Sequence, residues 1–530
     1  ILKYTTGMSR QSTPQSVRVR IAPSPTGPIH MGNVRAGLFN YLFAKQQGGV
    51  FMLRIEDTDK ERSKPEWEKD IFENMQWLGL LWDEGPDPAH HGASFGQYGP
   101  YRQSERTELY KKYLLKLLAE GNAYYCFCAS DELEAQRSNQ MSLGEAPRYL
   151  GTCRQLAKDQ QEKKFKEGKP AVIRFIVEPK VVVFDDLIRG KVSFDMSLAG
   201  DIVIAKNLET PLYNFTVVID DYEMKITHVI RGEDHIPNTP KQILLQQALG
   251  FPGAQFGHLP LLLGTDRTKL SKRHGDHSVT RYRKEGYLPE AVLNFLALLG
   301  WNPGGEKEIF TLQELVEDFS LKRIQKGGAV FNVQRLDWIN GYYIRQMPIE
   351  ELTRRCIPFL INAGLIDPWP DVKGEEIWYM AEKRPFPEGI LKEEDIQKVI
   401  SLYKDTIQPY QDRLKKLSEL PEMIDFFFVD NLDYPKELLL WKDADAATIA
   451  HALERAKEIL SGIADDKWTR EHLEEVLMPF AEQEKNRGYM LWPLRVALSG
   501  KKASAGPFEI CSALGKEKTL RRIQFALEKF

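Results

Sequence analysis

Two runs of residues carry side chains suited to holding phosphate. The first is PSPTGPIHMGN at 23–33. Within it, His30 can donate a hydrogen bond to a phosphate oxygen that gains charge during reaction. Gly32 would let a ligand approach the backbone closely. If a helix begins just after this run, its N-terminus adds backbone N–H groups and a positive dipole end. A plain strand-to-helix connector would account for the same Gly and Pro. The second run is KLSKR at 269–273, flanked by Gly264 and Gly275. Its lysines are point charges on long stems that can follow a polyphosphate. Taken alone, it reads equally as a solvated surface turn.

A third group is made of cysteines. Cys126 and Cys128 bracket one phenylalanine, Cys153 follows, and Tyr149 lies four positions before it. Three thiolates fit a structural zinc site; three reduced cysteines without metal are the alternative. Cys356 and Cys511 stand alone. Five cysteines, with no recognisable secretory signal, point to a reducing cytoplasm.

The elements that must position these groups follow from the hydrophobic pattern. Residues 17–22 (VRVRIA) alternate and then meet a Pro/Gly turn, which predicts a strand entering a tight loop. Helical spacing runs from Met31 to Gln47, and 50–55 (VFMLRI) predicts a second buried strand. This strand–loop–helix–strand unit opens a parallel α/β domain. Helices are expected over 66–82 and 104–120, and short strands over 171–204. YNFTVVID and KITHVI, within 212–230, read as strands. After about residue 285 the helical signal dominates, beginning with an apolar helix over 288–301. Ile449, Leu453, Ala456 and Leu460 fall on one helical face, and Thr469 could cap the next helix. Prolines at 385–387 and around Pro435 are candidate linkers.

The chain of 530 residues is long enough for three to five domains at roughly 100–200 residues each. It is 42% hydrophobic and 28% charged, as in ordinary globular proteins. No apolar run of about 18 residues predicts a membrane span. A net charge of -3 is unlike a strongly basic nucleic-acid binder. Basic residues do gather locally, at 266–284 and at Lys516, Lys518, Arg521 and Arg522, where RNA phosphates could dock. Solvated helix faces are the alternative.

The pairing of HxGN in the first run with KLSKR in the second resembles the two ATP-binding signatures of class I aminoacyl-tRNA synthetases. RIAPSPTG, RIEDTD (54–59), YGPYRQSER (98–106), VVIDDYEM (217–224) and IRGEDH (230–235) are similar to glutamyl-tRNA synthetase. Such runs span 18–343 almost continuously, and GKEKTLRRI (515–523) resembles the end of the bacterial type. The resemblance implies a Rossmann-type catalytic domain over 17–285, with an acceptor-binding insertion at about 95–205. A stem-contact region over 286–335 and a helical anticodon-binding region over 336–530 would follow, with a split near 430. Residues 1–16 would be a disordered lead.

The same resemblance implies ATP binding by Pro23, Thr26, His30, Gly32, Asn33, Lys269, Ser271 and Lys272. His30, Lys269 and Lys272 would be the catalytic residues, and Mg²⁺ would accompany the phosphates. Glutamate would be held by Arg20, Ala22, Ser24, Glu56, Tyr213 and Arg231. The charges suit that ligand. A guanidinium fork binds the side-chain carboxylate, and Glu56 answers the α-ammonium. Arg20, Glu56 and Arg231 also end predicted strands, where ligands bind in α/β sheets. Val217 stands where some members carry Asn. Relatives with Cys-x-Cys…Tyr-x-x-x-Cys bind zinc, so Cys126, Cys128, Tyr149 and Cys153 are the implied ligands. Gln155 replaces a histidine that other members use. The expected enzyme is a cytoplasmic, monomeric glutamate–tRNA ligase, serving tRNA(Glu) and in some members tRNA(Gln). Trp468, Trp492 and Arg495 are candidates for reading anticodon bases.

Four other readings compete. A tRNA-base glutamylating enzyme would lack the helical half. A non-ligase nucleotidyltransferase would not need the Arg20, Glu56 and Arg231 set. A catalytically dead RNA-binding protein would not need His30 and Lys269. Glutaminyl relatives end in β-barrels rather than helices.

Overall fold

The computed structural model describes residues 16–90, 92–270, 275–369, 372, 377–378, 392–484 and 486–530. Ser271 and Lys272, the prolines at 385 and 387, and nearly all of the expected lead lie outside these residues. The chain divides into two compact units. One holds 1–283 with 289–335, and the other holds 284–288 with 336–530.

The first unit begins as predicted. Strand β1 (Arg18–Ile21) enters the Pro/Gly loop, helix α1 (Met31–Gln46) follows, and strand β2 (Val50–Leu53) returns parallel to β1 with Arg18 opposite Val50. Between α1 and β2 the chain passes so near Val17 that a Cβ on Gly49 would sit 2.3 Å from the Val17 carbonyl oxygen. Helix α1 packs on both strands and on the helix Pro289–Leu298. That is why Val34, Leu38, Phe39 and Leu42 are all fully buried.

The sheet continues on both sides of this pair. Asp83 N–H donates to Phe51 O (2.8 Å) and Leu53 N–H to Glu84 O (2.9 Å), which adds a short segment beyond β2. On the other side Thr227 N–H donates to Arg18 O at 2.9 Å. That bond brings the strand His228–Gly232 beside β1, and His228–Gly232 pairs parallel with Gln255–Leu259. β1 therefore lies where the chain order of the sheet reverses, the place where open α/β sheets bind ligands. An antiparallel hairpin, Val181–Asp186 with Gly190–Asp195, meets Gln255–Leu259 at Phe256. A separate antiparallel sheet orders Thr210–Pro211, Ile202–Asn207, Val172–Phe175 and Ala123–Cys126.

Two expectations are corrected. YNFTVVID is not a strand: Tyr213–Glu223 is a helix. Phe215 through Asp221 are buried without a break. A helix buried on all sides shows a continuous apolar run that periodicity cannot separate from a buried strand. The helix predicted over 66–82 is α2 (Pro65–Trp77), and it stops early. Gly79, at φ +71°, takes the left-handed conformation that closes helix C-termini.

The second unit is helical. Ala446–Ser461 buries Ile449, Leu453, Ala456 and Leu460, the predicted face, against Gly488–Ser499 and Lys516–Leu527. Thr469 caps Arg470–Ala481 by accepting from His472 N–H. Three of the four terminal basic residues serve this packing, while Arg521 stays exposed beside Asp430. Arg522 is buried and donates to the carbonyls of Phe426 (2.6 Å) and Val429 (2.7 Å). Lys516 donates to Ile463 O and Lys518 to Phe427 O. Trp468 and Trp492 spend their indole N–H groups on Cys511 O and Leu438 O, and Arg495 stacks 4.5 Å over the Trp492 ring.

Candidate active site

At the carboxyl ends of the parallel strands lies a cavity of about 1060 Å³. Pockets for single drug-sized ligands run to roughly 1,000 Å³, so it has room for more than one small substrate. Its wall includes Arg20, Ala22, Pro23, Ser24, Thr26, His30, Gly32, Asn33, Glu56, Tyr213, Arg231 and Lys269. Residues picked from distant parts of the sequence thus share one cavity. The loop after β1 is tied to the chain after β2, since Glu56 N–H donates to Pro23 O at 3.0 Å.

His30 caps α1. Its Nδ1 accepts from Gly32 N–H at 3.2 Å, so the neutral ring carries its proton on Nε2. Burial, then the neighbouring His277, lowers the His30 pKa, with Asp276 opposing. Met31 N–H donates to His277 O (3.1 Å) and Asn33 N–H to His30 O (2.9 Å). The first-turn amides expected to be free for phosphate are therefore occupied inside the protein. The His30 side chain and the helix dipole remain for that role. Lys269 is paired with Asp234 at 3.0 Å, and both are well exposed.

The two cavity arginines differ in their partners. Arg20 is held in a two-point pair by Asp221 (Nε 2.9 Å, Nη2 3.1 Å). Arg231 donates only to neutral acceptors: Tyr213 Oη (3.4 Å), Thr239 Oγ1 (2.9 Å), Gln242 Oε1 (2.8 Å) and His258 Nε2 (3.3 Å). It is 7% exposed and, among the described residues, has no carboxylate within ion-pair distance. An arginine desolvated without an anion is costly, and a ligand carboxylate removes that cost. Beside it, burial pushes the Glu56 carboxyl above its ordinary range, opposed by Arg54 at 3.0 Å. His235 is pulled down to about 4 by burial and by Arg231, so it stays neutral against Tyr213 Oη at 2.9 Å.

Behind the wall lies a charge network that motif reading missed. Arg54, fully buried, reaches Asp221 (2.8 Å) and Glu56 (3.0 Å). Asp220 accepts from Arg106 (2.7 Å), Gln103 (2.8 Å) and Tyr110 (2.9 Å). Arg20, Arg54, Arg106 and Arg231 face Glu56, Asp220 and Asp221, which leaves one guanidinium in excess. A signal was available: Arg54, Asp220 and Asp221 sit inside or beside apolar runs, where a charge needs a buried partner.

The cysteine cluster is a compact donor set in a separate small core. Cys128 Sγ lies 3.5 Å from Cys153 Sγ, and Tyr149 Oη lies 3.4 Å from both Cys126 Sγ and Cys128 Sγ. The three Sγ atoms lie within 4.8 Å of one another. Corners of a tetrahedral metal site with thiolate ligands at about 2.3 Å stand roughly 3.8 Å apart, so the set fits one ion. Burial pushes Cys128 up to about 12. Burial also opposes ionisation of Cys126, yet the Tyr149 and Arg174 contacts hold that thiol below its ordinary value.

A parallel sheet with this strand order, a capped HxGN helix at its switch point and a polar cavity there fit a class I aminoacyl-tRNA synthetase catalytic domain. Residues 16–338 match the family model described as tRNA synthetases class I (E and Q), catalytic domain, and 351–527 match an anticodon binding domain. The glutamate–tRNA ligase of Carboxydothermus hydrogenoformans is 45% identical, covering 96% of this chain and 99% of its own. That of Desulforamulus reducens is 41% identical, with 97% and 100% covered. A crystal structure of a glutamate tRNA ligase from Elizabethkingia meningosepticum, in complex with its amino acid, aligns with a TM-score of 0.79. It is 33% identical, covering 97% of this chain and 99% of that one. The chain belongs to the glutamate–tRNA ligase family. No helix among the described residues is long and apolar enough to cross a membrane.

Proposed function

We propose that this ligase activates glutamate as glutamyl-adenylate, releasing pyrophosphate, and passes the glutamyl group to the terminal ribose of tRNA(Glu), with the residues of the cavity in the following roles. The observation that carries the assignment is Arg231, a buried cation with neutral partners only, beside the buried anion Glu56. Together they match the side-chain carboxylate and the α-ammonium of one amino acid, with Arg20, Ala22, Ser24 and Tyr213 completing the pocket. The α-carboxylate is left to attack the α-phosphorus of ATP. No covalent nucleophile is needed; positioning and charge stabilisation supply the rate.

ATP lies along Pro23, Thr26, His30, Gly32 and Asn33. The Nε2–H of His30 donates to the phosphate as its charge grows. Nothing in the protein demands glycine at position 32, where a Cβ would meet only His30 Nδ1 at an ordinary 3.5 Å; close approach of the nucleotide supplies the reason. Lys269 exchanges an exposed ion pair with Asp234 for the polyphosphate, since exposed pairs are weak. Ser271 and Lys272 belong to the same set through the KLSKR signature. Magnesium neutralises the phosphates when ATP is bound.

Cys126, Cys128, Tyr149 and Cys153 hold a structural zinc ion, which stabilises the fold of the segment that carries them and takes no part in the chemistry. Residues 17–285 form the catalytic domain with its acceptor-binding insertion, 286–335 contact the stem, and 336–530 read the anticodon. The enzyme acts as a single chain in the cytoplasm, where its cysteines, none of them in a disulfide, stay reduced.

The test is glutamate-dependent ATP–pyrophosphate exchange, with and without tRNA, beside charging of purified tRNA(Glu) and tRNA(Gln). Exchange with charging of tRNA(Glu) alone supports a discriminating ligase. Charging of both supports a non-discriminating one. A folded sample doing neither overturns the reading.

A further inference from the structure

The guanidinium of Arg231 is aimed by a chain of groups that never reaches the cavity. Its Nε–H donates to His258 Nε2 at 3.3 Å. On the far side of the ring, His258 Nδ1 lies 2.6 Å from Asp186 Oδ2. Both side chains of that pair are fully buried. The two contacts together fix the tautomer. A carboxylate facing Nδ1 keeps the proton there, which leaves Nε2 as the acceptor for Arg231 and for the Thr239 hydroxyl, whose Oγ1 lies 3.0 Å away. Burial lowers the His258 pKa and Arg231 lowers it further, against the raising effect of Asp186. The ring therefore stays neutral and takes nothing from the charge of Arg231.

The other oxygen of Asp186 is fully committed. Oδ1 accepts from the backbone N–H groups of Ile188 (2.9 Å), Arg189 (2.8 Å) and His258 (3.2 Å). Asp186 stands at the end of the hairpin strand Val181–Asp186, so three amides of two separate segments lock its orientation.

We propose that Asp186 and His258 are positioning residues for amino-acid selection: they present Arg231 to the substrate with its charge uncompensated and its orientation fixed, and so favour a side-chain carboxylate over its amide. This rests on the reading that Arg231 meets the glutamate side chain. A structural salt link would need only opposite charges. This chain needs a particular proton position, and that makes it testable by a near-isosteric change.

Asp186→Asn is the test. An asparagine must turn its carbonyl toward the three backbone N–H groups and its NH₂ toward His258 Nδ1. The imidazole then moves its proton to Nε2, where it can donate to Thr239 Oγ1 but faces the Nε–H of Arg231 donor against donor, so Arg231 loses that bond. In the full-length protein, KM for glutamate in tRNA-supported exchange should rise about ten-fold, the worth of one buried hydrogen bond. KM for ATP should not change, and the preference for glutamate over glutamine should fall. Adding His258→Gln removes the tautomer constraint, because the amide oxygen can accept from Arg231. The double variant should recover part of the glutamate KM.

A folded Asp186→Asn protein with parental glutamate KM and preference overturns the proposal. Equal rises in both KM values do the same. Arg231→Gln separates the two readings: if it leaves glutamate KM unchanged, the pocket assignment itself fails. Should Asp186→Asn not fold, nitrogen-15 histidine spectra of the unmodified protein decide, with His258 identified from the His258→Gln spectrum. The Nδ1–H neutral form supports the proposal, and an Nε2–H or doubly protonated ring overturns it.

Discussion

Arg54 is fully buried and hydrogen-bonds two carboxylates, Glu56 and Asp221, at 3.0 and 2.8 Å, with a third, Asp220, 3.8 Å from its Nε. Arg54→Met keeps the stem and removes the charge. Asp221 retains its two-point pair with Arg20, but Glu56 is left buried with no direct cation. Removing one partner of a buried pair costs about 3–5 kcal/mol. A typical fold has about 5–15 kcal/mol in hand, so the variant should fold with a much lower denaturation midpoint.

The pH dependence then gives the network away. Burial already raises the Glu56 pKa, and Arg54 is the strongest opposing influence. Without it the pKa rises further, so the carboxyl keeps its proton to higher pH than in the parent. A protonated Glu56 cannot receive an ammonium group. KM for glutamate in the variant should therefore fall as pH rises, and more steeply than in the parent. Stability must move the other way. A carboxyl whose folded pKa lies above its unfolded value favours the folded state at low pH and loses that contribution as pH rises through the folded pKa. The stability deficit of the variant should shrink between about pH 7 and pH 5. Urea melts and exchange kinetics across this window measure both trends. A variant with parental stability and a flat glutamate KM would refute the network as described.

Four further outcomes follow from the same geometry. His30→Ala should lower the exchange rate constant about 10²–10³-fold with a small change in ATP KM, as for loss of one donor to developing charge; a KM effect alone would point to simple binding. In the parent, His30 is held neutral below its ordinary pKa, so no loss of rate should accompany a pH drop from about 8 to about 7. Cys128→Ser should abolish stoichiometric zinc in the purified protein, read by elemental analysis, and make the insertion more sensitive to protease. Thr311 caps Leu312–Asp318 and exchanges hydrogen bonds with Glu314, so Thr311→Ala should cost about 1 kcal/mol in a urea melt without altering exchange.

Much of this architecture was legible because local pattern and tertiary role agree. VRVRI alternates, the Pro/Gly run turns, and α1 repeats at helical spacing, so β1, α1 and β2 could be placed to within a residue or two. Tyr213–Glu223 was misread because β-branched residues in a buried helix look like a buried strand. The cavity-lining residues were legible through motifs. The groups behind them were not: Arg54, Arg106, Asp220 and Asp221 join through contacts between residues far apart in the chain, and pairwise spacing carries no mark of that. His258 and Asp186 were invisible for the same reason. Composition could not tell that Lys516, Lys518 and Arg522 bond to backbone carbonyls.

The position of β1 has a consequence for how the protein is made. Its hydrogen bonds run to β2 on one side and to Thr227 on the other. Arg18 also reaches Met224 O at 3.1 Å. A nascent chain lacking residues beyond about 220 therefore carries a strand with one open edge, the kind that joins other chains. Its proper neighbour is the last of its contacts to be synthesised, and long-range parallel pairing is slow to form. The sheet that builds the active site is completed only after the whole segment between β2 and His228–Gly232 has left the ribosome, so translation pauses within that segment would prolong the period in which the newborn enzyme is prone to aggregate.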